Sequence, residues 1–476
     1  MRDKREEKRR RPLPVEKNQE VDLMIEDMGD NGEGIGRVEG YTLFVKDAVI
    51  GDRVRAIVTK TGKSYGYAHL KELLSGSPDR VKPVCSVWKR CGGCQLQSLS
   101  YNAQLAFKQK KVREHLIRIG GFSPELVDKV LEPIIGMDNP LRYRNKTQFP
   151  VQYDNDSYVK SGFYITRTHE IISNSDCYLG IEENQNILDV VLDFMREFHV
   201  PAYDEATGQG VVRHILIRKG FATGEIMVCL IINRKKVDLN KNGLPHQDEL
   251  VNRLREIPGL VSIAFNLNDR RNNVILGPKT VTIWGKTVIR DQLLGLEYEI
   301  SPTSFYQVNP IQTEKLYRTV QEFAELTGEE EVWDLCCGIG TITLSLAGQA
   351  KRLHGLEIVP EAIENAKRNA LINGIDNTEF ICAAAEEYLP AHLSDVHADL
   401  IVTDPPRKGM DERALSAIAQ AAPKKLIYVS CDPATLARDL KYLALHGYAL
   451  KRIRPVDMFP MTVHVETVVL LTRQNT

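Results

Sequence analysis

The chain has no long hydrophobic run. Its most apolar stretches, such as Ile226-Met-Val-Cys-Leu-Ile-Ile232, are far too short to cross a bilayer. The first residues contain no apolar segment either, so no secretory signal is expected. Charge of one sign is not in excess: 62 Lys and Arg face 63 Asp and Glu, for a net charge of -1. The whole molecule is therefore not a basic nucleic-acid binder, and any such surface has to be a local patch. Residues 1–14 form a basic tail, read as a solvated segment with an RNA-grazing arm as the alternative. No internal repeat is present, and no phosphate-gripping Gly-Lys-Thr follows Gly338-Ile-Gly340. A cytoplasmic protein without membrane contact is expected.

With 476 residues, two or three domains are expected. Residues 15–75 carry short alternating segments, among them Val21–Ile25, Tyr41–Val45 and Arg53–Val58, separated by glycine turns. They predict a five-stranded barrel of the OB type. Residues 95–120 show helical spacing, and residues 76–300 as a whole predict an α+β domain. Its strands are placed near 146–152, 214–218, 225–233 and 261–265, its helices at 184–197 and 247–256, and a polar solvent-facing connection at 237–247. From residue 301 onward strands and helices alternate, which predicts a doubly wound, Rossmann-like α/β sheet.

On that fold ligands gather at the carboxyl ends of the strands, and the chemistry-bearing residues fall there. Asp334-x-x-x-Gly338-x-Gly340 follows one strand and opens a helix, while Glu357 ends the next strand. Glycines let the backbone approach a ligand, and an acid in that position typically binds ribose hydroxyls. The missing third glycine points to a nucleoside cofactor without pyrophosphate. Thr403-Asp-Pro-Pro-Arg407 closes another strand and presents Asp404.

Ser430-Cys-Asp-Pro433 places the Cys431 thiol between a strand and a helix, whose free amides are expected to lower its pKa. Glu466 precedes the last strand and is a candidate base. A thiol nucleophile, a base and a nucleoside-cofactor cradle are the parts needed to alkylate carbon 5 of a pyrimidine. Of the nine cysteines, Cys85, Cys91 and Cys94 cluster, with Cys177 a fourth candidate ligand. Four thiolates satisfy Zn²⁺ or a [4Fe–4S] cluster. One Cys-x2-Cys pair with two single cysteines favours iron–sulfur over a zinc ribbon.

Taken together, these motifs with Tyr143-Arg-Asn-Lys146 and Phe305-Tyr-Gln-Val-Asn309 resemble the RNA uracil-5-methyltransferase family, specifically its 23S ribosomal RNA branch. The resemblance implies a TRAM barrel, S-adenosyl-L-methionine as methyl donor, and cofactor contacts from Gln307, Cys336, Glu357 and Asp404. It also implies Cys431 as nucleophile, Glu466 as base, and a [4Fe–4S] cluster on Cys85, Cys91, Cys94 and Cys177. The bottom-up reading adds Gly338 and Gly340 to the cofactor cradle. Cys336 stands where the family often has an aromatic residue, and Asp432 where asparagine is common. Arg142, Arg144, Lys146, Arg213, Arg218 and Lys219 are candidate phosphate contacts, and a monomer working on 23S ribosomal RNA is expected. The alternatives are a transfer RNA uracil-5-methylase, in a branch that usually lacks barrel and cluster, or a non-catalytic iron–sulfur RNA-binding protein.

Overall fold

The computed structural model describes residues 13–154, 156–237, 243–393 and 396–474. Most of the basic tail and residues 238–242 of the expected polar connection lie outside them. The chain divides into two compact units.

The first unit comprises the residues up to Lys89 with Cys94–Phe107 and Met461–Val463. Its five strands are β1 (Glu20–Met28), β2 (Gly34–Val38), β3 (Tyr41–Lys46), β4 (Arg53–Thr61) and β5 (Tyr65–Ser75). They close into a barrel in the order β1-β2-β3-β5-β4. The period-2 pattern explains it: Val21, Leu23 and Ile25 point inward while Asp22, Met24 and Glu26 stay outside. Gly36 has to be glycine, because a Cβ there would meet the carbonyl oxygen of Met24 at 2.5 Å. The helix expected over 95–120 runs from Tyr101 to Arg118. It starts late because the Ser100 side chain accepts from the Ala103 amide and its carbonyl from that of Gln104.

The second unit holds two large sheets. One contains β6 (Lys146–Tyr153), β7 (Val159–Tyr164), β8 (Ile171–Ser173), β9 (Val212–Lys219), β10 (Ile226–Ile232), β11 (Leu260–Leu267) and β12 (Lys279–Gly285). Its order is β12-β11-β10-β9-β6-β7-β8, with only β10 and β11 parallel. Helix Glu183–Glu197 buries Ile187, Leu188, Val191 and Phe194 in one cluster with Phe149, Ile215 and Val228 of the sheet. A hairpin of β13 (Ile289–Leu293) and β14 (Leu296–Ile300) follows.

The second large sheet is built from β15 (Glu331–Asp334), β16 (Arg352–Glu357), β17 (Thr378–Cys382), β18 (Leu400–Thr403), β19 (Lys425–Ser430), β20 (Tyr448–Val456) and β21 (Glu466–Arg473). The order β17-β16-β15-β18-β19-β21-β20 is the doubly wound arrangement expected. Leu426 to Val429 are completely buried, as strands covered on both faces should be. One strand breaks the parallel rule: β21 runs antiparallel to both β19 and β20. This reversal brings the first residue of β21 to the edge where the parallel strands end, with Ser430 facing Thr467. Helix Ala385–Ala391 was not expected; it is short and contains Pro390, so its pattern reads as loop.

Candidate active site

The carboxyl ends of β15, β16, β18 and β19 surround a cleft of about 630 Å³. Gln307, Cys336, Gly338, Glu357, Asp404, Cys431 and Glu466 all line it, so residues spread over 160 positions of sequence converge. Gly340 does not. It caps helix Thr341–Leu346 at φ 85°, and a Cβ there would press on Phe380 and Ala366 at 3.2 and 3.3 Å. Its role is to make the turn.

The cradle is tied together locally. Glu357 accepts from the Gly338 amide at 3.2 Å and the Val359 amide at 3.0 Å, which fixes its carboxylate on the cleft wall. Asp334 is fully buried and accepts from Thr343 Oγ1 at 2.7 Å, so it shapes the turn from behind. At Gly338, φ 55°, an added Cβ would meet no neighbour within 4 Å and would project into open space. Beside it, Ile358 and Val359 are exposed by 65 and 47 % and offer an apolar surface. Open backbone, a held carboxylate and an apolar flank fit a nucleoside cofactor.

The thiol does not sit as the sequence suggested. Asp432, not Cys431, uses the free amides of helix Pro433–Leu445, accepting from Ala434 at 2.9 Å and Thr435 at 3.0 Å. With the amides taken, burial and then the carboxyls of Glu466 and Asp404 push the Cys431 thiol up to about 12, against a smaller lowering by Arg407. The expected lowering of its pKa is thus reversed. Glu466 is only 3 % exposed, and burial followed by Asp404 holds its carboxyl well above the usual range. Burial and Asp334 raise Asp404 to about 7. Arg407 is exposed, lies 3.4 Å from His464 Nε2, and lowers both Cys431 and Glu466. The thiol therefore keeps its proton at neutral pH, and burial favours the neutral form of Glu466.

Several supporting residues were not singled out in the sequence. Asp439 is buried and accepts from Tyr428 Oη at 2.6 Å and the Met410 amide at 2.9 Å. Arg438 donates to the carbonyl of Lys408 at 3.0 Å, and Thr435 Oγ1 to that of Arg407 at 3.1 Å. These bonds pin the Asp404–Asp411 loop to the helix behind Cys431, and the signal for them was the Arg438-Asp439 pair closing the thiol motif. On the other wall Asn145 donates to the carbonyl of Gln307 at 3.0 Å. Asn309 caps helix Pro310–Ala324 and donates to the Met458 carbonyl at 2.9 Å.

Of the six candidate phosphate contacts, four are occupied within the protein, Arg218 being only 2 % exposed and donating to the Ser304 carbonyl. Arg142 pairs with Asp176 at 2.6 Å, Lys219 with Glu183, and Arg213 donates to the carbonyls of Asn268 and Arg270. Arg144 lines the cleft, and Lys146 faces Arg218 across β6 and β9. Burial, then Arg218 and Arg144, depress Lys146 to about 7. A concentration of positive charge thus lies beside the cleft.

The cysteine set behaves differently. Cys85 and Cys94 belong to the first unit and Cys91 and Cys177 to the second. Among the described residues no three Cys, His, Asp or Glu side chains converge on a metal position. The donor chemistry suits a cluster, and no catalytic step is derived through it.

Fold and cleft define an enzyme that transfers a group from a nucleoside cofactor and carries a half-buried thiol with a buried acid. Residues 221–474 match the tRNA (uracil-5-)-methyltransferase family and residues 14–71 a TRAM domain. The chain belongs to that family and is an RNA methyltransferase. It is 47% identical to an uncharacterized RNA methyltransferase of Clostridium acetobutylicum, over 97% of this chain and 98% of that one. A homologue of the same description in Halalkalibacterium halodurans is 46% identical over 97 and 99%. Among solved structures, the tRNA (uracil-54, C5)-methyltransferase of Pyrococcus abyssi, in complex with S-adenosyl-L-homocysteine, superposes with a TM-score of 0.74 at 28% identity. The match covers 95% of this chain and 100% of that one. Among the described residues no helix is long and apolar enough to cross a membrane.

Proposed function

We propose that this protein methylates carbon 5 of a uridine in 23S ribosomal RNA, using S-adenosyl-L-methionine, with Cys431 as nucleophile and Glu466 as base. The observation that carries the reading is the convergence of Cys431 and Glu466 on one cleft with the nucleoside cradle. When bound, the donor supplies an electrophilic methyl group on a sulfonium. Gln307, Cys336, Gly338, Glu357 and Asp404 would hold it, and Gly340 shapes the turn that positions them.

A uridine flipped out of its stack enters the cleft. Phe305, at the cleft and 68 % exposed, offers a ring against which it can stack. The Cys431 proton passes to bulk water and the thiolate sulfur bonds to carbon 6, which moves the C5–C6 electron pair towards carbon 5 and O4. Carbon 5 takes the methyl group. Glu466, as carboxylate, removes the proton from carbon 5; the C5–C6 double bond re-forms and the thiolate leaves. Glu466 therefore has to be ionised in the loaded complex, against the burial that favours its neutral form. A cation bound beside Asp404 lowers Asp404, Cys431 and Glu466 together, through the same Coulomb interaction that raises them now.

Residues 76–300 are proposed to bind RNA, with Arg144 and Lys146 at its edge, and residues 301–476 to transfer the methyl group. A single chain supplies every part of the site, which supports a monomer, and a cytoplasmic location follows from the substrate. A [4Fe–4S] cluster on Cys85, Cys91, Cys94 and Cys177 is proposed on donor type alone. Iron and acid-labile sulfide in anaerobically purified protein test it, and their absence would remove it. Transfer RNA is the second reading, favoured by the extent of the Pyrococcus abyssi match. Mapping 5-methyluridine formed on unmodified ribosomal and transfer RNA separates the two: methyl groups on transfer RNA alone would overturn the ribosomal assignment.

A further inference from the structure

A second cavity, of about 530 Å³, opens where β9 begins, away from the thiol. Its walls include Tyr164 and His169 from the β7–β8 hairpin, Arg213 and His214 from β9, and Asn273 and Val274 from a following loop. Arg213 is an extra residue in the ladder: Ile231 pairs with His214 and Ile232 with Val212. Such a bulge re-aims side chains, and here it brings two successive residues to one wall.

Both are 5 and 6 % exposed, and both carry an orphaned polar atom, Arg213 Nε and His214 Nδ1, buried without a hydrogen-bond partner. The remaining atoms are held. Arg213 Nη1 donates to two backbone carbonyls and the guanidinium lies 4.3 Å from the Tyr203 ring centre. His214 Nε2 lies 3.5 Å from Tyr164 Oη, which donates to Glu205 at 3.3 Å. Burial pushes His214 down to about 4, so at neutral pH its ring offers one donor and one acceptor. Groups this buried are normally satisfied, so Arg213 and His214 are held at this wall without their full complement of hydrogen bonds.

The chemistry favours a base. The cavity has aromatic walls in Tyr164 and His169, a neutral imidazole and a side-chain amide in Asn273, all suited to the flat faces and mixed edges of nucleobases. Glu205, also on the wall, opposes a phosphate inside. The strand that builds the wall also leads to the active site. Four residues beyond His214, or about 13 Å along a strand, Arg218 faces Lys146 beside the catalytic cleft. A few nucleotides of single-stranded RNA cover that span.

We propose that this cavity receives an unpaired base of the same RNA whose uridine enters the cleft, a base that is read and not modified. The proposal rests on the RNA-methylating reading above. The test uses full-length protein, RNA from a strain lacking this gene to locate the methylated uridine, and then a synthetic fragment carrying it. Val274 is 54 % exposed, so Val274→Trp plugs the cavity without disturbing the core; His214→Gln is the second variant. Both should raise KM for RNA by about tenfold or more, the scale of one lost base–aromatic contact. Neither should change kcat or S-adenosyl-L-homocysteine binding. In addition, one abasic position in the fragment should weaken wild-type binding yet leave the plugged variant unaffected. An enzyme that methylates RNA with KM unmoved by the plug overturns the cavity proposal alone. An enzyme that methylates no RNA overturns the uridine reading and this proposal with it.

Discussion

At the residue scale the chemistry turns on where protons sit. Because the Cys431 thiol is held high, the thiolate is scarce at neutral pH and grows with every unit of pH. Single-turnover methylation should therefore climb from about pH 6 to about pH 9 without a plateau, close to tenfold per unit at first; a rate independent of pH would show the thiol already ionised. Arg407 is the cation that lowers both thiol and base, so Arg407→Ala should displace that profile to higher pH. Binding of the sulfonium donor should release protons near neutral pH, whereas S-adenosyl-L-homocysteine, whose sulfur is neutral, should release fewer. Calorimetry in two buffers of different ionisation enthalpy measures the difference, and equal release would contradict the coupling. Stability follows the same groups. Asp404 is raised to about 7 in the folded protein, so folding takes up protons and its contribution is fully present below the unfolded value and lost as pH rises through 7. Asp404→Asn should raise the thermal midpoint more at pH 8 than at pH 5. The identity of thiol and acid was legible in the sequence, but their ionisation was not. The prediction gave the helix amides to Cys431, and the capping carboxylate of Asp432 had already claimed them.

At the element scale, what could be read was whatever left a periodic trace. The parallel strands are continuous apolar runs between helices with caps, so the doubly wound sheet was visible. Two features left none: β2, whose Gly-Ile-Gly sequence is set by the close approach of β1, and the antiparallel entry of β21. The second matters more, since only that reversal explains how Glu466 reaches the cleft beside Cys431. The segment leading to it is held by a buried ion pair, Lys108 with Asp457, both fully buried, and Lys108 also donates to the Phe459 carbonyl. Lys108→Met strands a buried carboxylate and should cost about 3–5 kcal/mol in urea denaturation. The double variant with Asp457→Leu should recover much of the loss, and a single-variant cost below about 1 kcal/mol would show the pair is not structural.

At the scale of the whole molecule, a near-neutral chain handles an anionic polymer by concentrating its cations. Arg144 and Lys146 lie beside the cleft, while Arg142 and Lys219 are spent on internal ion pairs and the buried Arg218 on the Ser304 carbonyl. Charge reversal at Arg144 should therefore weaken RNA binding and reduce its salt dependence, while charge reversal at Arg142 should act mainly through stability. Family and cofactor cradle could be read from motifs, because each needs a particular residue at a particular strand end. The RNA could not, since its recognition is spread over surfaces with no fixed spacing. The most direct test of the central claim is a trap of the covalent step. Glu466→Gln, incubated with substrate RNA and S-adenosyl-L-methionine, should accumulate a methylated RNA–protein adduct that survives denaturation and maps to Cys431. Full turnover by that variant, or an adduct on another residue, would contradict the account.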